Sequence, residues 1–376
     1  MWLDGETRQS VTTSPPVYPT TSPFHCLTTL CLTQSLATGT ISAERSETAH
    51  AGRGCQRMSF FPRELAAPVV DETPMIEWEE PGCLLCGTRD WSPLVESPDT
   101  TVGGTGLWFA VVQCQRCGLC FTNPRPSPQA IGRFYPSVYR PHRTPRRRRA
   151  PRFLDRLRFW RKRKRDNPKI VWRGEGRLLD FGCGGGAFLA RMHGQGWQVT
   201  GLDVSAAAVN RVRDELGLRA FQGTLPHPAL EHASFDVITM WHSLEHVHAP
   251  LEVLREANRL LVPGGNLFIA VPNIDSLPFR WFGSAWYGLD LPRHLTHFAP
   301  WTLHLMLERA GFHVGPIKMV RHSQWLRSSA RLACQRGKGT FWRRLLTAKP
   351  PSRLASRYCH LTRQSDCIMV TAERPE

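Results

Sequence analysis

The sequence predicts an α/β protein with a doubly wound, mostly parallel sheet, preceded by a small cysteine-rich module. Strand-like and helix-like segments alternate from about residue 171, which is the pattern of a parallel sheet covered by helices on both faces. A glycine-rich turn follows the first of these strands, and two Cys-x-x-Cys-Gly motifs lie well ahead of it. These observations indicate that the glycine-rich turn and the cysteines are the candidate functional sites.

Length and composition limit the possible classes of protein. The 376 residues suffice for one large domain and a small one, and a hydrophobic content of 41% is ordinary for a globular protein. No apolar run approaches the ~18 residues that a membrane span requires, and the first residues lack the basic start of a signal peptide. We therefore expect a cytoplasmic protein, whose twelve cysteines favour metal binding over disulfides.

Composition divides the chain into four predicted segments. The first 57 residues are rich in Thr, Ser and Pro and show no helical or strand period, so we expect disorder there and up to residue 74. The later segments are a cysteine-rich module over 75–125, a basic linker over 126–170 and an α/β domain over 171–376. Within the α/β domain we expect a lid over 276–300 and an insertion over 320–366.

The net charge of +17 is concentrated in the linker. Fourteen Lys and Arg residues lie between Arg140 and Arg165, against the single acid Asp155. A run of charge is often a solvated connector. Arginines that alternate with aromatic residues also suit an anionic membrane surface or RNA. We keep all three interpretations of residues 140–165, with the membrane surface ahead of RNA because the aromatics follow a helical period.

The cysteine motifs predict a structural zinc site. Cys83 and Cys86 form one pair, Cys114 and Cys117 form the other, and 27 residues separate the pairs. Four thiolates suit tetrahedral zinc, and the glycine after each pair permits the turn that aims backbone amides at sulfur. A strand over Leu107–Val112 leads into the second pair, as in a zinc-ribbon-like module. The alternative is a set of reduced structural cysteines.

The glycine-rich turn carries the most specific motif. Its sequence is Asp180-Phe-Gly182-Cys183-Gly184-Gly-Gly186, between a buried strand and an amphipathic helix. Glycines there allow a ligand to approach the backbone, and the following helix offers free N–H groups. The motif resembles motif I of the class I S-adenosylmethionine-dependent methyltransferases. Ser-Phe-Asp-Val ahead of strand four and Leu-Val-Pro-Gly-Gly265 ahead of strand five extend the resemblance, which covers roughly residues 83–320.

The resemblance implies a Rossmann-like, doubly wound sheet of seven strands whose last strand is antiparallel. Strand one ends at Asp180, and helices are expected within the insertion. The other predicted strands are Trp197–Asp203, Arg219–Gln222, Phe235–Trp241, Asn266–Pro272, Phe312–Met319 and Cys367–Thr371.

The resemblance also implies that the turn binds S-adenosylmethionine. Gly182, Cys183, Gly184 and Gly186 would face the methionine part, and Asp180 would hold its amino group. Asp203, an acid at the end of the second strand, would accept hydrogen bonds from the ribose hydroxyls. The residues expected around the adenine are Val204, Gly223 and Thr224.

Histidines follow the fourth strand, at the edge of the sheet where an acceptor would bind. One of His242 and His246 is the candidate base, because histidine titrates near neutral pH. Glu245 lies between them, and the group could instead hold a divalent metal or be a structural pair. Later in the chain, we expect Arg293, His294 and His297, with the aromatics Trp281, Trp286 and Tyr287 before them, to form the lid over the acceptor. With His242, Glu245 and His246, His294 is also a candidate catalytic residue.

The sequence therefore predicts a methyltransferase that acts on an O, N or C atom of a small molecule, such as a sugar, lipid or secondary-metabolite precursor. Two alternatives stay open. One is an RNA base methyltransferase with a zinc module, which the basic linker supports. The other is a non-catalytic protein that uses its zinc module and arginines to dock a partner.

Overall fold

The computed structural model describes residues 76–99, 105–135, 170 and 174–376. All of them belong to one compact unit, Met58–Glu376. The segment predicted to be disordered and the basic stretch 140–165, with its predicted membrane or RNA contacts, lie outside the described residues.

Strands are numbered in chain order. The first five precede the basic linker: β1 Trp78–Glu79, β2 Trp91–Pro98, β3 Trp108–Cys114, β4 Cys120–Thr122 and β5 Arg125–Pro126. The next five are β6 Arg177–Phe181, β7 Gln198–Asp203, β8 Arg219–Gln222, β9 Phe235–Trp241 and β10 Leu261–Pro272. The last four are β11 Thr296–His297, β12 His313–Val314, β13 Lys318–Val320 and β14 Cys367–Glu373.

Helices are numbered in the same way. The α-helices are α1 Ala187–His193, α2 Ala206–Asp214, α3 Pro250–Leu260, α4 Leu277–Phe282, α5 Pro300–Arg309, α6 Ser323–Gln335, α7 Phe341–Leu345 and α8 Lys349–Leu361. Short 3-10 turns cover Ile131–Phe134, Leu244–His246, Gly283–Ala285 and Tyr287–Leu289. None of these helices is long and apolar enough to cross a membrane.

The main sheet has the predicted doubly wound order. β6 is central, with β7 and β8 on one side and β9, β10 and β14 on the other. The pairs from β8 across to β10 are parallel, and β14 runs antiparallel to β10, so the α/β fold and its antiparallel last strand are confirmed. β9 is buried on both faces along nearly its whole length, as expected for a central strand of a parallel sheet.

The predicted sixth strand is two strands in the structure. β12 and β13 both pair with β14, and residues 315–317 between them leave the sheet. The Gly315 amide still donates to the Thr371 carbonyl at 3.0 Å, but Pro316 next to it has no N–H, so the ladder is interrupted there. The sheet therefore has eight strands in seven positions. β10 begins five residues earlier than predicted, with an irregularity between Leu261 and Asn266.

A second sheet links the cysteine motifs to the lid. β2, β3 and β4 form an antiparallel meander, and β11 adds to the edge at β4. β11 consists of residues 296–297, which lie within the predicted lid over 276–300. The Arg125 side chain, which is buried, donates to the carbonyl of His248 after β9, and Arg309 on α5 donates to the carbonyl of Leu85. The two sheets are therefore joined by backbone pairing and by two arginines, buried Arg125 and exposed Arg309.

The insertion contains helices, as predicted. α6, α7 and α8 lie between β13 and β14, and α8 packs against α6. The N-terminus of α6 carries His322 and Trp325 towards His242 at the end of β9. The insertion thus contributes side chains to the same edge of the sheet as the glycine-rich turn.

Candidate cofactor and acceptor site

The candidate site lies at the carboxyl-terminal edge of the main sheet. β6 lies between β7 and β9, where the strand order reverses, and open α/β sheets bind ligands at such a point. Asp180 is near the end of β6, Asp203 ends β7, and His242 directly follows β9. The sheet therefore brings three of the predicted site residues to one edge.

Asp180 is a buried acid held within the sheet. Its Oδ1 accepts a hydrogen bond of 2.7 Å from the Thr239 hydroxyl on β9. Burial, and to a smaller extent the charge of nearby Asp203, raises the pKa of Asp180 to about 7. A cationic group bound beside Asp180 would reverse this shift, so the carboxyl is poised for a positively charged ligand.

Asp203 is held by backbone amides of the two loops that flank it. Oδ2 accepts from the Gly184 amide at 2.8 Å, and Oδ1 accepts from the Ser205 amide at 2.9 Å. Ser205, and not Asp203, caps α2, since its hydroxyl accepts from the Ala208 amide. Each carboxylate oxygen can still accept a further bond. Val204 is 71% exposed, an apolar surface next to this acid.

The glycine turn requires glycine at several positions. Gly182, Gly184 and Gly186 have φ of 74°, 51° and 73°, a region that favours glycine. A Cβ on Gly182 would lie 2.5 Å from the Cβ of Ser243, and one on Gly186 would lie 2.8 Å from Val212. The turn therefore fits closely against α2 and the end of β9.

Other predicted cofactor residues have different environments. The Cys183 thiol points inward against Gly201, where a Cβ would lie 2.8 Å from its sulfur, and burial raises its pKa. Its side chain is therefore part of the core, and only its backbone is at the turn. Gly223 donates its amide to the carbonyl of Asp203, and Thr224 next to it is exposed.

His242 and Glu245 face each other after β9. Their Nδ1 and Oε1 atoms are 3.4 Å apart, Glu245 is buried and His242 is about one third exposed. Burial raises the pKa of Glu245, but His242 and the other neighbouring imidazoles outweigh it, so the pKa lies below its usual value. His242 has φ of 53°, which is uncommon for a residue with a side chain. Such strain is typical of functional positions.

His294 is buried and His246 is partly buried, and their ring centroids are 4.6 Å apart. His246 Nδ1 lies 3.0 Å from the Arg293 carbonyl and 3.1 Å from the Tyr135 hydroxyl. His294 Nδ1 lies 2.8 Å from the Gly288 carbonyl. Contact with a carbonyl assigns a proton to each Nδ1, which leaves each Nε2 as an acceptor. Burial lowers the pKa of His246 to about 4, so its ring is neutral.

These histidines and Glu245 form a group that could hold a metal. Ligating atoms of Glu245, His246 and His294 lie within 4.8 Å of one another. Two imidazoles, each with its Nδ1 bonded to a backbone carbonyl, together with one carboxylate are suitable ligands for a divalent cation. Neither carboxylate oxygen of Glu245 has a well-aligned hydrogen bond from any residue that the structure describes. A second group of possible metal ligands consists of His242 after β9, His322 before α6 and Cys367 at the start of β14.

The predicted lid is fixed by a buried arginine. Arg293 donates to both carboxylate oxygens of Asp290, at 3.1 and 2.7 Å, and to the Phe134 carbonyl at 2.9 Å. Asp99 is a second acid near it, at 3.4 Å. His297 is buried and contacts the Thr122 hydroxyl at 3.1 Å. Both side chains therefore tie the lid to the cysteine-rich sheet.

Sequence reasoning missed four residues at the site. Trp325 and His322 from the insertion have ring centroids 5.1 and 5.9 Å from that of His242. Tyr135, in the first part of the predicted linker, reaches His246. Ser243 is buried against Gly182, and its hydroxyl has no hydrogen-bond partner within the described ranges. Only Ser243 is next to a recognised motif, so only it carried a local signal.

Comparison with known sequences identifies the α/β part of the chain. Residues 142–315 match a family described as "Methyltransferase domain". The chain contains a methyltransferase domain. The resemblance found in the glycine turn is therefore confirmed.

Relatives of the methyltransferase domain align over part of their length. The ubiquinone biosynthesis O-methyltransferase of Yersinia pestis (strain Pestoides F) is 36% identical over 105 residues, which cover 26% of this chain and 43% of that protein. The chain thus spans less than half the length of the curated relative.

Two solved structures are similar to the methyltransferase domain, with TM-scores below 0.5. A complex of the Haloferax volcanii Trm112 methyltransferase activator with a methyltransferase is 17% identical, with a TM-score of 0.42 and coverage of 55% of this chain and 86% of that one. An S-adenosylmethionine-dependent methyltransferase from Mesorhizobium loti is 22% identical, with a TM-score of 0.38 and coverage of 54% and 94%.

Ahead of the methyltransferase domain, the four cysteines converge as their spacing predicts. Sulfurs of Cys83 and Cys117 are 3.4 Å apart, those of Cys86 and Cys114 are 3.5 Å apart, and all four lie within 4.8 Å of one another. Four sulfurs around tetrahedral zinc would be about 3.8 Å apart, from Zn–S bonds of about 2.3 Å.

The glycines of both cysteine motifs support this geometry. Gly87 and Gly118 have φ of 76° and 72°, and their amides donate to the carbonyls of Cys83 and Cys114. The contact with Cys117 lowers the pKa of Cys83 to about 5 and raises that of Cys117, because two adjacent thiols do not both ionise without a cation. The residues present therefore fit a closed, four-thiolate site.

Proposed function

We propose that the chain transfers a methyl group from S-adenosylmethionine to a small-molecule acceptor. The observation that carries this proposal is the pair Asp180 and Asp203 on neighbouring strands, on either side of a turn of left-handed glycines. Two acids at the carboxyl edge of a parallel sheet suit a cationic ligand that also carries a ribose. The match to a methyltransferase family supports the same cofactor.

Each cofactor residue has a distinct role in the proposal. When bound, S-adenosylmethionine supplies an activated methyl group on a sulfonium. Asp203, already oriented by two backbone amides, accepts from the ribose hydroxyls, and exposed Val204 covers one face of the adenine. Asp180 attracts the positively charged methionine end, and the Thr239 hydroxyl fixes its orientation. Gly182, Cys183, Gly184 and Gly186 contribute backbone, and Gly223 and Thr224 lie at the adenine edge.

His242 is the proposed base that removes the proton from the acceptor. It is partly exposed, follows β9 directly, and has buried Glu245 next to its Nδ1. A carboxylate beside one imidazole nitrogen fixes the tautomer and stabilises the charge that forms when the other nitrogen takes a proton. His246 and His294 have ligating atoms within 4.8 Å of those of Glu245, and backbone carbonyls fix the orientation of both rings.

The acceptor is proposed to be a small molecule of the sugar, lipid or secondary-metabolite precursor class, methylated on O, N or C. Trp325 and Tyr287, with ring centroids 5.8 Å apart, supply an aromatic wall beside His242. The name of the Yersinia relative, an O-methyltransferase of ubiquinone biosynthesis, supports a small acceptor and favours oxygen. RNA is the second candidate, because the sequence carries fourteen basic residues between Arg140 and Arg165.

We also propose one structural zinc per chain at Cys83, Cys86, Cys114 and Cys117. The site is closed by four protein ligands, which is typical of zinc that stabilises a fold. Elemental analysis of purified protein tests the proposal, with Cys114→Ser as the variant that should lose the metal. The proposal would be overturned if wild-type protein, purified without chelators and with zinc added, contained no zinc.

Two measurements test the proposed activity. Calorimetry with S-adenosylmethionine separates an enzyme from a non-catalytic docking protein, which would release no binding heat. A transfer assay with labelled cofactor over RNA, lipid and small-molecule fractions of a cell extract then identifies the acceptor class. Label in the RNA fraction alone would replace the small-molecule assignment with the RNA assignment. Binding without transfer to any fraction would contradict the proposed activity towards all three acceptor classes.

A further inference from the structure

The insertion ends in a helix whose apolar residues face the solvent. Along α8, Leu354, Tyr358 and Leu361 recur at the spacing i, i+4, i+7, which places them on one stripe of a helix. They are 64%, 57% and 80% exposed. The opposite face of α8, which packs on the protein, consists of small residues: Ser352, Ser356 and Cys359 are buried. The helix is therefore amphipathic with its apolar stripe directed away from the core.

The preceding helix also exposes apolar side chains. On α7, Phe341 is 84% exposed, and Trp342 and Leu345 are also exposed. Six of the ten large hydrophobic side chains exposed among the described residues therefore lie within residues 341–361. Single exposed hydrophobic residues are normal, but such a concentration in one short segment is typical of a contact surface.

Basic residues surround these side chains. The sequence from Arg321 to Ser365 contains eleven Lys and Arg and no Asp or Glu. Arg344, Lys349, Arg353 and Arg357 are exposed on α7 and α8, and none of the four forms an ion pair with an acid in the part of the chain that the structure describes. We call these four residues, together with the six exposed hydrophobic side chains, the apolar–basic face.

We propose that the apolar–basic face docks on the surface of an anionic lipid bilayer. Helices that lie in a membrane interface combine an apolar stripe with flanking Lys and Arg, as α8 does. Aromatic residues such as Trp342 and Tyr358 prefer the headgroup region, and basic residues gain from anionic lipid. A second copy of the chain is disfavoured as the occupant, because two such faces would bring two sets of four like charges together. RNA would use the arginines and aromatics but has no apolar surface for Leu345, Leu354 and Leu361.

Co-sedimentation of the full chain with vesicles tests the proposal. We expect sedimentation with phosphatidylcholine vesicles that contain phosphatidylglycerol, little with phosphatidylcholine alone, and a decrease at high salt. The triple variant Leu354→Ser, Tyr358→Ser, Leu361→Ser should lose at least tenfold in vesicle partitioning. Its fold should be retained because these side chains are exposed, and the thermal melt of the variant checks this. The variant Arg353→Gln, Arg357→Gln should lose selectivity for phosphatidylglycerol.

Matched controls change residues elsewhere on the surface. Trp301→Ser removes an exposed aromatic on α5, and Arg89→Gln with Lys318→Gln removes two exposed charges, so both should bind vesicles like the wild type. Equal sedimentation of the triple variant and the wild type would overturn the proposal and direct attention to residues 140–165. No sedimentation of the wild type, or retention on RNA that the triple variant loses, would also overturn it.

Discussion

The two sides of the candidate site are built in different ways. On the cofactor side, Asp180 and Asp203 end neighbouring strands, and their partners are one hydroxyl and two backbone amides of the adjoining loops. On the acceptor side, His242 meets Glu245, three residues further on, and two side chains from the distant insertion, His322 and Trp325.

This difference separates binding from chemistry. Backbone amides have a fixed geometry once the turn forms, so the cofactor side is rigid and its changes should alter affinity. The acceptor side depends on side-chain contacts between the sheet, the lid and the insertion. Its changes should alter turnover and leave cofactor affinity alone. Four predictions test whether the two sides can be separated in this way.

The largest effect is expected for His242→Ala. Removal of a general base lowers turnover by about 10²- to 10⁴-fold, whereas the dissociation constant for S-adenosylmethionine should change by less than about threefold. Steady-state kinetics and calorimetry measure the two quantities. His304→Ala, which changes an exposed histidine on α5, is the matched control. A turnover within a factor of three of the wild type would show that the base lies elsewhere.

Glu245→Gln sharpens the same prediction. If Glu245 orients His242, the variant should lose turnover whether or not a divalent cation is present. If the wild type requires an added divalent cation and the variant no longer responds to it, Glu245 acts with His246 and His294 as a metal ligand.

The second prediction concerns the cofactor side. Asp203→Ala should weaken the binding of S-adenosylmethionine by more than tenfold, or about 1.4 kcal/mol, because the paired hydrogen bonds to ribose are lost. Calorimetry measures the change, and Asp214→Ala at the exposed end of α2 is the control. An unchanged dissociation constant would mean that the ribose binds elsewhere.

The third prediction is a pH dependence of cofactor affinity. The pKa of Asp180 lies at about 7, and only its ionised form attracts a cation. Affinity should therefore rise with pH through 7, by about tenfold between pH 6 and pH 8. Asp180→Asn should bind weakly and lose this dependence. A flat profile for the wild type would show that the carboxyl does not face the positively charged end of the cofactor.

The smallest effect is expected for Tyr135→Phe, which removes the hydroxyl that contacts His246. The free energy of unfolding should fall by about 1 kcal/mol, with cofactor affinity within about threefold of the wild type. Chemical denaturation measures the loss, and Tyr358→Phe on exposed α8 is the control. A large loss of cofactor affinity would extend the cofactor side to the first part of the predicted linker.

The same contrast explains what could be predicted from sequence. The cofactor residues are close together in the chain, and their glycines and acids occupy positions that backbone geometry dictates. β8 and β9 were predicted residue for residue, because their ends are marked by glycine and by polar residues. The convergence of the four cysteines followed from two local turns, each closed by a glycine.

The acceptor side could not be predicted in the same detail. Nothing in the local sequence around His322, Trp325 or Tyr135 indicates that they reach the histidines after β9, since their positions depend on how the insertion and the connector pack. Arg293 and His297 were expected in a lid, yet their hydrogen bonds hold the lid to the second sheet. The break in the sixth strand follows Gly315 and lies at Pro316, which has no N–H to donate to β14.

The pairing of β11 with β4 bears on how small a working enzyme can be made. A fragment trimmed to the transferase half, starting near residue 171, would keep the glycine turn and both acids. It would leave the β11 edge bare and take away Thr122 and Tyr135, the outside supports of His297 and His246. Such a fragment should hold its methyl donor and fail with its substrate, so the shortest useful truncation begins ahead of β1.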